Sequence, residues 1–181
     1  YWREPELTRK SFDEEGYYRL GDALKFVDPD DPAKGVMFDG RIAEDFKLST
    51  GTWVSVGPMR ARILNHFAPF ATDVVLAGPD RDELTALIFP NIAACRRLAP
   101  DLAANAEAAT LLAHPKVRAE FAFLLGMLAK TATGTSTRLT RILLLEELPS
   151  IDIGEITDKG SINQRAVLSH RAALLAELDA E

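Results

Sequence analysis

The sequence predicts an α+β fold, and three observations carry that prediction. Two strand-like runs, residues 71–77, rich in Val and Leu, and residues 83–89, closed by Pro90, flank Gly78-Pro79-Asp80-Arg81-Asp82, a link with hairpin-turn chemistry. A long alanine- and leucine-rich stretch, residues 92–132, has helical periodicity. Then Ile142-Leu143-Leu144-Leu145 forms a continuous apolar run that reads as a strand buried on both faces. Hairpin strands with helices set apart from them belong to α+β architecture, not to a regular βαβ alternation.

The elements follow in order. Residues 5–14 make a charged, helix-like opening with little apolar surface to bury, which requires an outside neighbour. Strands are predicted at about 17–27 and 35–38, separated by the turn Asp28-Pro29-Asp30-Asp31-Pro32. Two short strands, 45–48 and 52–56, surround Ser49-Thr50-Gly51 as a β-hairpin would. A helix runs from Gly57-Pro58 to about Phe67, with Met59, Ile63 and Leu64 on one face. Pro90 closes the second long strand, and Pro100 and Pro115 divide 92–132 into three helices. A strand is predicted over 141–147, then an irregular loop carrying Lys159, then a closing helix over about 163–179.

Composition narrows the function. The chain has 181 residues, 47% of them hydrophobic and 27% charged, which is ordinary globular usage. The net charge of −6 offers no basic footprint for a phosphate backbone, so no nucleic-acid partner is expected. No apolar run approaches the roughly 20 residues that cross a bilayer, so no membrane span is expected, and the opening residues are unlike a signal peptide. The expected compartment is cytoplasmic. The single cysteine, Cys95, lies in an apolar helical stretch and reads as a buried, inert thiol. His66, His114 and His170 are far apart and lack partners at ligand spacing, so no metal site is expected. Gly134 and its threonines lack the lysine of a phosphate loop, Ser49 and Ser55 have no suggestive histidine, and Trp53 reads as a packing residue.

Several groups remain with two readings each. Asp22, after Gly21 at a strand end, can accept hydrogen bonds from both hydroxyls of a ribose, or can be a turn aspartate serving local backbone donors. Arg41, after Gly40, can bind ribose or phosphate oxygens, or can be a solvated strand cation. Glu44 and Asp45 sit between two proposed structural units, where an acidic residue can act as a hinge or simply as surface charge. Lys159, between Asp158 and Gly160, can reach into a site as a mobile point charge, or can be an exposed loop lysine.

The order of motifs adds a resemblance. Tyr18-x-x-Gly21-Asp22, Gly40-Arg41-x-x-Glu44-x-x-Lys47-x-x-x-Gly51, Leu87-Ile88-Phe89-Pro90-Asn91 and the Lys159 loop before the last helix resemble the carboxyl-terminal portion of the adenylate-forming acyl-CoA synthetase superfamily. The likeness covers essentially the whole chain and is strongest over 17–54. The tail, residues 154–168, resembles bacterial feruloyl-CoA synthases. The resemblance implies a small mobile carboxyl-terminal domain, residues 44–181, with a three-stranded sheet, helices and a β-hairpin. It implies that residues 1–43 are the last β-rich part of a larger AMP-binding domain. It further implies an acid–thiol (CoA) ligase that uses ATP to form an acyl-adenylate, then lets CoA displace AMP, with a domain rotation between the two steps.

By that resemblance Asp22 holds the ribose hydroxyls, Arg41 supports the same nucleotide, and Gly51 lies where the pantetheine arm passes. Glu44 is the hinge, with Asp45 a one-residue alternative, and Lys159 is the catalytic lysine of adenylation. The implied ligands are ATP or AMP, CoA, an aryl or fatty carboxylic acid, and Mg2+ with no ligand identified in this chain. The implied protein partner is the missing amino-terminal domain, without which this chain is expected to be inactive. Leu20 stands where relatives usually carry threonine, and aligning Arg165-Ala166-Val167-Leu168 with the family's closing motif puts Lys159 about two or three residues early. Lys116 and Lys130 fall in helical sequence and are poorer substitutes. Two other readings stay open: the adenylation part of a carboxylic acid reductase, and a non-catalytic α+β interaction module.

Overall fold

A computed structural model of the chain describes residues 1–180. They divide into two compact units, Tyr1–Ala43 and a second that begins at Glu44.

In the first unit, helix α1 (Pro5–Lys10) starts on a proline, whose fixed φ suits the first helical position. Strands β1 (Asp22–Phe26) and β2 (Val36–Arg41) pair antiparallel. Their connector is held by Asp28, which accepts from the Asp30 backbone N–H and pairs with Lys34 at 2.6 Å. The first strand is shorter than the predicted 17–27 because residues 17–19 spend their hydrogen bonds elsewhere. Phe12 and Tyr18 form an isolated bridge, Asp13 N–H donates to Tyr17 O, and Arg19 N–H donates to Ser11 O. That segment therefore closes on the end of α1 before it can join β2.

The second unit is built on a three-stranded mixed sheet ordered β5-β6-β7. Strands β5 (Ala71–Ala77) and β6 (Leu84–Pro90) form the antiparallel hairpin expected from the Gly78–Asp82 link. Strand β7 (Leu139–Leu144) runs parallel to β6, a pairing that needs a long crossover. Helices α3 (Ile92–Leu98), α4 (Ala108–Leu112) and α5 (Pro115–Lys130) supply it. Alternation along the strands divides the apolar side chains between two faces. Val74, Leu76, Ala86 and Ile88 pack on one face with Ile63, Phe67, Phe121 and Leu128. Val75, Leu87 and Phe89 pack on the other with Leu145, Val167 and Leu178. With helices on both faces, all seven residues of the central strand β6 are buried.

Ahead of the sheet stand a small hairpin, β3 (Phe46–Lys47) with β4 (Trp53–Val54), and helix α2 (Val56–Phe67). Val56, Met59, Ile63 and Phe67 are its buried stripe, at the spacing of one helical face. Strands β3 and β4 are shorter than expected, and the last strand and the closing helix depart most from the sequence reading. Strand β7 begins at Leu139, opposite the start of β6, and after Leu144 only the Leu145 N–H still reaches Ile88 O. The closing helix is two: α6 (Gln164–His170) and α7 (Ala172–Ala180), divided at Arg171, whose φ −104° and ψ 27° leave the helical region. Among the described residues no helix is long and apolar enough to cross a membrane.

Candidate functional site

In the first unit, Asp22 and Arg41 are register partners across β1 and β2. Directly opposed residues of an antiparallel pair carry their side chains on one face, with Cβ atoms about 5 Å apart. Both are exposed, and neither side chain is engaged by another described residue. The register holds because Ile42 N–H donates to Gly21 O at 3.0 Å, just beyond the pair. Two residues nearly twenty positions apart in sequence thus present an acceptor-only carboxylate beside a five-donor guanidinium. That combination suits a ligand with both hydroxyls and anionic oxygens.

The second unit carries the other candidates. At its start Glu44 is half-buried and its side chain has no described partner, whereas Asp45 is committed: its Oδ1 accepts from the Val56 N–H at 2.8 Å. Ser55, at the N-cap of α2, makes no side-chain cap, so Asp45 serves an otherwise orphaned donor from eleven positions upstream.

Gly51 and Lys159 stand in turns of the same construction. In the β3–β4 hairpin, Gly51 N–H donates to Leu48 O and Leu48 N–H to Thr52 O, with Gly51 at φ +79°. In the lysine loop, Gly160 N–H donates to Thr157 O and Thr157 N–H to Ser161 O, with Gly160 at φ +78°. Each is a three-residue turn that needs a left-handed residue at its fourth position, and glycine meets that need without a Cβ penalty. Lys159 occupies the position before the glycine, at the hairpin tip. It is exposed and makes no ion pair or hydrogen bond among the described residues. The loop expected there as irregular is therefore an ordered hairpin, closed by a bridge between Ile156 and Ile162.

The root of that hairpin holds a pair the sequence reading missed. Glu155 is 1% exposed and accepts from Arg171 Nε and Nη2, each at 2.9 Å, and from the Ser150 N–H at 3.0 Å. Arg171 also donates to the carbonyls of Glu147 and Leu148 and lies over the Phe89 ring at 5.2 Å. The guanidinium holds the Glu155 carboxyl below its ordinary value, and the carboxylate in turn raises Arg171. The two are sixteen positions apart, so no local motif marks them.

The structure also places Cys95 and Trp53. Cys95 is buried, and desolvation pushes its thiol up to about 11. Trp53 is not a packing residue: it is 59% exposed, with the Lys47 ammonium 5.0 Å from its ring centre. Among the described residues its strand pairs with β3 alone, and Val54 takes the inward position. Among the described residues no group of three or more His, Cys, Asp and Glu could hold a metal ion.

No family model matches the chain, and no curated protein matches it. Solved structures do. The adenylation domain of a carboxylic acid reductase from Segniliparus rugosus, in complex with AMP and a co-purified carboxylic acid, matches with a TM-score of 0.75 at 20% identity, covering 99% of this chain and 26% of that one. The corresponding domain from Mycobacterium chelonae gives 0.73 at 21% identity, over 100% and 26%. ATP-bound MatB from Rhodopseudomonas palustris gives 0.59 at 19% identity, over 96% and 28%.

The fold is one that this chain shares with part of each of these solved structures. This chain spans about a quarter of the length of the solved structures it matches.

Proposed function

We propose that this chain is the carboxyl-terminal portion of an ATP-dependent, AMP-forming acyl- or aryl-CoA ligase, with residues 1–43 ending the large AMP-binding domain and residues 44–181 forming the mobile domain. The observation that carries the reading is the register pairing of Asp22 with Arg41, both side chains unengaged, on a fold shared with a protein in complex with AMP and a carboxylic acid. Asp22 accepts from the ribose hydroxyls, and Arg41 donates to oxygens of the same nucleotide. Lys159 offers its ammonium to the charge that develops as an oxygen of the acid bonds to the α-phosphorus and the bond to pyrophosphate breaks. In the second half-reaction the CoA sulfur bonds to the acyl carbon, the bond to AMP breaks, and the thiol proton is released. Gly51 leaves room for the pantetheine arm, and Glu44 is the hinge. Asp45 is the weaker hinge candidate, because its carboxylate is occupied at the start of α2. Mg2+ accompanies ATP in such chemistry, and no residue of this chain is assigned to it.

The test is Lys159→Ala in the full-length parent. ATP–pyrophosphate exchange is expected to fall by about 100- to 1,000-fold, the scale for one preorganised charge stabiliser. Thioester formation from pre-made acyl-adenylate should persist; unchanged exchange refutes the assignment.

The acid is proposed to be a hydroxycinnamate such as ferulate, supported by the resemblance of residues 154–168, and exchange driven by ferulate against a long-chain fatty acid tests it. A second reading, the adenylation part of a carboxylic acid reductase, is favoured by the higher TM-scores of the two adenylation domains from such reductases. Acyl transfer to free CoA supports the ligase, and transfer only to a phosphopantetheinylated carrier domain supports the reductase. Absence of any exchange in the full-length parent would favour a non-catalytic interaction module.

A further inference from the structure

The hairpin that carries Lys159 is exposed at its tip and clasped at its root. On the incoming side, the Glu155 N–H donates to Ser150 O at 2.9 Å, and the Glu155 side chain is locked by Arg171 and the Ser150 N–H. On the outgoing side, Asn163 N–H donates to Glu155 O at 2.8 Å, and the Asn163 side chain caps α6 through the Ala166 N–H. Gln164, itself buried, accepts from the Leu76 N–H and so ties the same point to β5. Arg171 reaches this cluster from the break between α6 and α7. It is 10% exposed and fixed by two carboxylate and two backbone oxygens. Among the described residues, His170 Nδ1 lies 4.0 Å from Glu155 Oε1, and the Glu147 carboxylate also acts on Arg171. Lys159 lies four positions beyond Glu155, and the bridge between Ile156 and Ile162 ties the two arms of the hairpin next to its root.

A buried ion pair is a costly way to gain stability, because both ions must be desolvated. A bidentate arginine fork fixes direction as well as distance. We infer that Glu155 and Arg171 are positioning residues for Lys159: their fork sets the angle at which the hairpin delivers the lysine ammonium to the reacting centre. The inference rests on the adenylation reading of Lys159 given above.

The experiment uses the full-length parent and compares wild type, Lys159→Ala, Glu155→Gln and the double variant. Glu155→Gln is expected to lower the kcat of ATP–pyrophosphate exchange by about 10- to 100-fold, the scale of a small misplacement of a catalytic group. The KM for ATP and thioester formation from pre-made acyl-adenylate should stay near wild type. In the Lys159→Ala background the same change should have no further effect on exchange, because a residue that acts through Lys159 has nothing left to position. Multiplying losses in the double variant, equal loss of both half-reactions, or wild-type exchange in Glu155→Gln each overturns the inference. If Glu155→Gln does not melt cooperatively, Arg171→Lys, which keeps the charge and loses the fork, is judged by the same outcomes. Full exchange in Lys159→Ala alone sinks the adenylation reading. Loss of exchange there with normal exchange in Glu155→Gln sinks only the positioning role.

Discussion

Arg171 makes Glu155 a stronger acid in the folded chain, and that has a measurable sign. A carboxyl whose folded value is depressed adds stability above its ordinary value of 4.5, and that stability is lost as pH falls below it through the folded value. Acid titration from pH 4.5 downward should therefore lower the melting temperature of the wild-type chain more steeply than that of Glu155→Gln. Parallel slopes would show that the pair contributes no linked proton. Gly78 is a second residue whose environment decides its cost. It sits at φ +141°, and a Cβ there would lie 2.6 Å from the Glu83 carbonyl oxygen and 3.3 Å from a Leu48 methyl. Gly78→Ala is expected to destabilise by about 2 kcal/mol or more in a denaturant titration, combining backbone strain with a backbone clash. Asp22, Arg41 and Lys159 were visible as candidates from residue type and motif order. The Glu155–Arg171 pair was not, because only the fold brings a loop carboxylate to a helix break.

The elements of the second unit follow local rules closely. Pro115 opens α5, Asn91 caps α3 through the Ala94 N–H, and Asn163 caps α6. Helix α2 departs from this pattern because its acceptor comes from Asp45, before β3. Asp45→Ala is expected to cost about 1 kcal/mol of stability, the usual value of an N-terminal cap, while Glu44→Ala should leave stability unchanged. Equal effects in a denaturant titration would contradict the structural distinction between the two acids. The division of the closing helix at Arg171 was hidden from periodicity, since apolar positions on either side keep a helical rhythm. The trimmed first strand was hidden for the opposite reason: tyrosines at 17 and 18 favour a strand, but a competing turn takes their backbone partners.

At the scale of the molecule the two units are unequal. The second has two apolar clusters, one on each face of its sheet. In the first, α1 buries no residue, and Tyr17, Leu20, Leu24, Phe26, Val36 and Phe38 are all exposed. Apolar surface of that kind marks an interaction face, and it agrees with the proposal that residues 1–43 end a larger domain. Limited proteolysis of this chain alone is expected to cut first within residues 1–43 and leave a resistant core from about Glu44 onward, because local opening costs least where few contacts are buried. First cleavage within β6 would refute that ordering.

The sequence by itself determined the α+β class, the β5–β6 hairpin, the three crossover helices and the inert Cys95, because alternation, helical periodicity, proline and turn chemistry all act over a few residues. Only the tertiary structure decided that Asp22 faces Arg41, that Asp45 is spent on α2, and that Lys159 tips a hairpin rooted in a buried ion pair. Those facts depend on strand register and on contacts between residues far apart in the chain, and local pattern carries no record of either.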